Sequence, residues 1–254
     1  EGYVPNIFCT VLCFALIPLF CLNKKIKLVA ATFAAFVTLT MSVSTTAHAV
    51  ELTDSKTDGS GNFFAAGEVV DTSAECVTAI ENECFLVGQT TYLRNVTVDG
   101  SAFVAGANVN VDDALIGSSL FVAGSEVSLD VVANNNIWAA GSNVKVSEDS
   151  SVKGLHAAGA SVTVGGEYTQ VDACGGSVYF DAKVDGDVNI EAENVTIGPN
   201  ADVTGNINVT YSTNLNQDDN AKVPNLNVTK VESSEEKMEE AARKSIVNSI
   251  VAKI

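Results

Sequence analysis

A short pattern, apolar-aromatic-apolar-Ala-Gly-x-x-Val-x-Val, returns along the middle of the chain, and no other feature narrows the fold as much. It stands at Ala102-Phe103-Val104-Ala105-Gly106, Leu120-Phe121-Val122-Ala123-Gly124, Ile137-Trp138-Ala139-Ala140-Gly141 and Leu155-His156-Ala157-Ala158-Gly159. Looser copies surround Gly67, Gly88, Gly175 and Ala192. From Gly88 onward the central residues are spaced by 18, 18, 17, 18, 16 and 17 positions. That period is too short for a pair of helices and right for one coil of a three-sided solenoid.

Each coil divides into three short strands. The first ends at Ala-Gly. The second is an alternating apolar pair, as in Val109/Val111, Val144/Val146 and Val195/Ile197. The third ends in Val-x-Gly, at Val98-Asp99-Gly100, Val152-Lys153-Gly154, Val184-Asp185-Gly186 and Val203-Thr204-Gly205. Period-two alternation sends both apolar members of a pair inward and the polar residue between them out. Glycine every 17 or so residues, together with abundant Val and Thr, opposes a helical reading. The expected fold is therefore all-β, a right-handed three-sided parallel β-helix over residues 50–230. Eight or nine coils stacked at the strand spacing would make a rod about 40 Å long.

In the first strand of each coil, the places four and two before the glycine stay apolar and face inward. The place between them holds Phe64, Phe85, Phe103, Phe121, Trp138 and His156, then changes to Asp172, Asn189 and Asn208. Alternation and that change imply an outward stripe of aromatic residues along the early coils. Two readings follow: a ladder stabilised by coil-to-coil stacking, or a docking surface for another segment or protomer.

Ahead of the repeats, residues 23–49 have the order of a secretory signal. Lys24, Lys25 and Lys27 lead into an apolar run, Leu28 to Val43, which ends in Ala47-His48-Ala49 with cleavage expected before Val50. The apolar run Ile7 to Leu22 is either a first membrane span or upstream translation preceding a non-Met start at Leu22. Export places the domain outside the cytoplasm, in the cell envelope, where thiols oxidise. Cys76 and Cys84 flank a short insertion and are candidates for a disulfide closing it. Cys174 stands where sister repeats have Ala and reads as a small buried residue.

The balance of charges and side chains excludes several chemistries. A formal charge of −17 repels phosphate backbones, so nucleic acid is not an expected partner. After the signal the chain has one histidine, His156, and two arginines, Arg94 and Arg243. A lyase acting on acidic polysaccharide needs cationic groups against a developing carbanion, and a glycosidase needs paired carboxylates. Asp185 and Asp187 flank a glycine corner where solvated acids are ordinary, and no catalytic set is assigned. No Cys-x-x-Cys, EF-hand spacing or calcium nonapeptide occurs, so no metal or other cofactor is expected. Asn95, Asn194, Asn208 and Asn227 each precede Val-Thr, formally glycosylation acceptors, though strand periodicity accounts for them.

Through its Val-x-Gly corners and Ala-Gly strands, over residues 60–211, the chain resembles the bactofilin-like, polymer-forming cytoskeletal proteins. The resemblance implies a right-handed three-sided β-helix that joins end to end, without nucleotide or metal. The signal segment is a departure, since typical bactofilins are cytoplasmic; exported relatives with membrane helices after the β-helix are similar to this chain. The expected function is a non-enzymatic, self-assembling scaffold. The alternative is an extracytoplasmic module holding glycan or protein on the aromatic stripe.

Assembly would use the rod ends, where stacked strands leave backbone groups unpaired. The repeats begin without a strong cap apart from the Cys76–Cys84 insertion. After a polar linker around Asn214–Asn227, a helix is expected over 231–254. Ser233-x-x-Glu236 is a capping box, and Ala242, Ile246, Ile250 and Ile254 recur at helical spacing. That helix either leads to a membrane, attaching the domain through its termini, or folds back as a cap on the β-helix.

Overall fold

The computed structural model describes residues 54–232 apart from Glu75. Over this span the chain is all β, and parallel strands wind into a solenoid of about nine turns. The segments 1–22 and 23–49 and the helix expected from Ser233 lie outside the described residues. No helix among the described residues is long and apolar enough to cross a membrane.

The strands are β1 (Asp54–Thr57), β2 (Phe63–Asp71), β3 (Ala79–Ile80), β4 (Cys84–Val98) and β5 (Ala102–Ala105). Next come β6 (Asn108–Ile116), β7 (Leu120–Val146), β8 (Ser151–Val164), β9 (Glu167–Phe180) and β10 (Lys183–Val184). The last are β11 (Val188–Ile197), β12 (Asp202–Val203), β13 (Ile207–Gln217) and β14 (Leu226–Lys230). Long strands such as β7 turn corners without a break, so one strand contributes to several faces.

Pairing sorts these strands into three parallel ladders. In the first, Cys84 pairs with Ala102, Ala102 with Leu120, Leu155 with Val171, Val188 with Ile207 and Ile207 with Leu226. In the second, Val109 pairs with Val127, Val144 with Val162, Val162 with Val178 and Val195 with Val178. The third joins Val98 to Ile116, Val152 to Tyr168 and Val184 to Val203. The inward members of all three form one core in which Leu86, Leu120, Ile137, Leu155 and Phe180 are fully buried. Where a hydroxyl replaces an apolar residue inside, it is satisfied. Thr91 donates to the Ala105 carbonyl at 3.1 Å, and Thr72 donates to the Arg94 carbonyl at 3.1 Å while accepting from the Arg94 amide.

The glycines that end the first strand lie one above another. A Cβ on Gly106 would meet the carbonyl of Gly88, and one on Gly124, Gly141 or Gly159 would meet the glycine of the coil before. Close approach of coil to coil at this corner is what requires glycine there. Gly166 is required for a second reason, since its φ of +94° lies in the left-handed region and a Cβ would press on the Ser150 carbonyl.

Three expectations need correction. The first coil is capped after all: β1 runs antiparallel to β2, with Asp54 opposite Ala66 and Thr57 opposite Phe63. Its turn is held by Asp58, whose carboxylate accepts from the amides of Ser60 and Asn62. The stretch 214–227 is not a linker, because β13 continues to Gln217 and β14 pairs in register with β13. The Cys76–Cys84 disulfide does not form; both thiols are free, Cys76 exposed and Cys84 buried. Cys84 starts β4 on an inward position between Phe63 and Ala102, and burial pushes its thiol up to about 12. Cys174 is buried in register with Ala158.

Replacing Gly166 by Ala combines left-handed strain with a backbone clash and should cost about 2 kcal/mol. Urea denaturation at unchanged m-value measures it; a loss below about 0.5 kcal/mol would contradict the tight corner.

Candidate functional site

The outward stripe is the most organised surface feature, and it is built by register alone. Phe64, Phe85, Phe103 and Phe121 occupy successive rungs of the first ladder. Trp138 pairs with His156, and His156 with Asp172. The same position continues through Asn189 and Asn208 to Asn227. One outward file therefore runs the length of the solenoid and changes chemistry part-way.

In its aromatic half the rings stack face to face. Centroids lie 4.9, 4.9 and 4.8 Å apart along Phe64, Phe85, Phe103 and Phe121, with planes parallel to within 5°. Strand spacing sets that separation, so parallel rings reach contact only by offsetting, which is the favoured arrangement. The Trp138 and His156 rings are closer, 3.8 Å apart at 15°. Phe64, at the end of the row, is the ring most open to solvent, 41% exposed.

In its polar half the file is a chain of hydrogen bonds. His156 Nδ1 lies 3.1 Å from Asp172 Oδ2, which assigns the proton to Nδ1. Asn189 donates to Asp172 at 2.8 Å, Asn208 to Asn189 at 3.0 Å and Asn227 to Asn208 at 3.2 Å. Gln170 also donates to Asp172. Burial alone would raise the Asp172 carboxyl, but the bonds from His156, Asn189 and Gln170 outweigh it and hold it below its usual value. His156 is the hinge of the file, with its ring on tryptophan and its nitrogen on a carboxylate.

Sequence reading placed the six aromatic-stripe residues together and outward, and the register does so. It missed the amide ladder, although the signal was present: Asp172, Asn189 and Asn208 hold the same offset before the corner as the rings do. Asn227 was lost because its coil was read as a linker. The formal glycosylation acceptors divide accordingly. Asn208 and Asn227 are ladder members, Asn194 accepts from Asn214 at 2.9 Å, and Asn95 sits at a corner with φ of 52°.

Two other surface features bear on function. Arg94 clasps Asp71 and lies 4.5 Å over the Tyr92 ring, and its hydrogen bond to Asp71 is the main reason that carboxyl is held low. The second ladder carries an open groove of about 400 Å³ lined by short polar side chains, among them Asn110, Ser128 and Thr163, with Tyr92 and Lys145. Glu126 in this groove is occupied by Asn143, which donates to it at 2.6 Å. Among the described residues no group of three or more His, Cys, Asp or Glu could hold a metal ion.

No family model, no curated protein and no solved structure matches the chain.

Two measurements test the file. Phe103 stacks on both sides, so Phe103→Ala should lose about 1–3 kcal/mol in denaturant titration, more than the same change at Phe64. Asp172→Asn removes a group whose folded pKa is depressed. Its stabilisation is complete above the unfolded value near pH 4 and is lost as pH falls through the folded one. The variant should be about 1–2 kcal/mol less stable at pH 7, and the gap to the unaltered protein should close as the pH is taken below about 4. A gap independent of pH would mean that the carboxylate charge plays no part.

Proposed function

We propose that the domain is a non-enzymatic structural scaffold, a bactofilin-like, right-handed rod of the cell envelope that assembles end to end outside the cytoplasm. One observation carries this reading: the outward file from Phe64 to Asn227 spends its binding capacity on the next coil. Rings stacked face to face offer solvent mainly their edges, and the amides donate along the rod. Side chains used in this way stiffen a rod. A right-handed winding is the expected outcome, since parallel strands joined by crossovers wind that way in nearly all cases.

The alternative, a module holding glycan or protein on the stripe, has less support from the same geometry. A sugar ring stacks on an open aromatic face, and here both faces of Phe85 and Phe103 are covered by neighbouring rings. The export and envelope location rest on the signal segment alone, and the bactofilin-like assignment on the repeat.

Assembly needs an edge, and the C-terminal coil supplies one. Val228 continues the inward file of Val209 and is 47% exposed, while Leu226 and Leu215 are only partly buried. Pairing β14 with a strand of a second copy would bury this apolar end and satisfy its backbone groups. Sedimentation and electron microscopy of the chain should show rods longer than about 40 Å whose proportion rises with concentration. Val228→Glu should abolish them without unfolding the coils. Only single rods, at every concentration up to about 1 mM, would overturn the proposal; by mass action such a joint would be weaker than a millimolar Kd.

A further inference from the structure

The first ladder uses its outward side chains on one another, and the second does not. In the second ladder Tyr92 pairs with Asn110, Asn110 with Ser128, Lys145 with Thr163 and Thr163 with Tyr179. The bond from Asn143 to Glu126 sets Lys145 beside Ser128, two residues further along each strand, so these residues form one outward file. From Tyr92 to Thr163 the file lines the open groove of about 400 Å³, a volume in the range of small-ligand sites. Four rung spacings make that run about 19 Å long. Among the described residues, the side chains of Asn110, Ser128, Lys145 and Thr163 have no hydrogen-bond or ionic partner. Their donors and acceptors are uncommitted, where the amides of the first ladder are spent on the next coil.

The make-up of the groove selects its ligand. It crosses the face of a sheet and meets no strand edge, so an extended peptide cannot add there as a strand. Its charged groups are Glu126 and Lys145, one of each sign, in a chain of net charge −17. A balanced groove on so acidic a chain suits an uncharged ligand. The remaining polar groups are hydroxyls and amides, which donate and accept as sugar hydroxyls do. An aromatic face completes the set. Arg94 lies over the Tyr92 ring and clasps Asp71, the residue paired with Tyr92 on the coil before. The guanidinium thus covers the side of the ring toward that coil, and the other side is left to the groove that Tyr92 lines. That is the open aromatic face which the stacked phenylalanines do not offer.

We propose that the groove along the second ladder binds an uncharged, linear glycan of the extended cellulose or chitin type. The glycan lies parallel to the rod axis, with one sugar ring on Tyr92 and its hydroxyls on Asn110, Ser128 and Lys145. A straight file of uncommitted groups matches a straight chain of repeated hydroxyls. The site does not depend on end joining: a glycan held there grips the rod along its side and leaves β14 free.

Isothermal titration of the whole chain with cellohexaose, xylohexaose, mannohexaose and chitohexaose tests the site. At least one should bind with a Kd of about 1 mM or tighter. Tyr92→Ala should weaken that binding at least about tenfold, equivalent to about 1.4 kcal/mol. Ser128→Arg fills the groove from an exposed position and should do the same, while an unchanged urea midpoint shows the coils intact. Phe64→Ala, on the stripe, should leave the affinity unchanged. No binding of any of these sugars at about 1 mM would overturn the proposal. So would binding lost in Phe64→Ala but kept in Ser128→Arg, which moves the glycan to the stripe. Binding of hexagalacturonate and of no neutral sugar would overturn it as well, because charge would then be the determinant. If Ser128→Arg lowers the proportion of joined rods and no sugar binds, the groove is a contact between copies and the proposal falls. Sugar binding by a chain that sediments only as single rods supports the groove and removes the end-joining reading alone.

Discussion

In-register stacking of successive coils is the constraint on which everything else in this molecule depends. Each strand has a side-chain period of two, so a slip of one residue would send a whole inward file to solvent. Coil lengths vary, yet the ladders do not drift, because the surplus is absorbed at corners. Register shifts fall between Val111 and Ala114, between Ala133 and Asn136, and between Ala192 and Asn194. Asp113, inside the first of these, has a φ of 52°, a conformation that short polar side chains tolerate better than others. The faces are regular because the corners are not.

Register also decides what the outer surface can do. A residue on one coil is a few ångströms from its counterpart on the next, and like must tolerate like. Flat rings meet this demand by offset stacking, and amides meet it by carrying donor and acceptor on one side chain. Carboxylates cannot, and in an acidic chain they alternate with groups that donate to them. Asp181 binds Asn200, Asp187 binds Asn206, Asp185 accepts from Thr204, and Glu167 faces Lys183 at 3.0 Å. Where partners run short the cost is visible: burial first, and then the charges of Asp149, Asp112 and Asp113, push the Asp130 carboxyl up.

Much of this was legible in the repeat, for a reason that can be stated. A solenoid writes the same local problem many times, so Gly106, Gly124, Gly141 and Gly159 average away the ambiguity that a single Ala-Gly would leave. The position of the aromatic stripe followed from alternation in the same way. What could not be read lies where repetition ends. β1 is antiparallel and belongs to no coil, so no period announces it. The last coil lacks the aromatic-Ala-Gly signature, with Lys230 where earlier coils have glycine, and it passed for a linker. Cys76 and Cys84 looked paired because spacing along the chain carries no information on direction; alternation from Leu86 back to Cys84 would have turned that thiol inward, away from the insertion.

The difference between the ends determines how rods of this kind can join. Two open C-terminal ends brought together across a two-fold axis form a self-complementary contact and close as a pair. Continuing further requires the other end, where β1 already satisfies the inner side of its ladder and offers only its own outer edge. A filament therefore depends on β1 either accepting β14 as an antiparallel neighbour or giving up β2. Because β1 has four residues and pairs only with β2, its departure would break one antiparallel pairing and leave every rung between coils in place. The strand that closes the rod could thus be exchanged without disturbing the core stack, and in the proposed assembly pair or filament turns on its hold on β2.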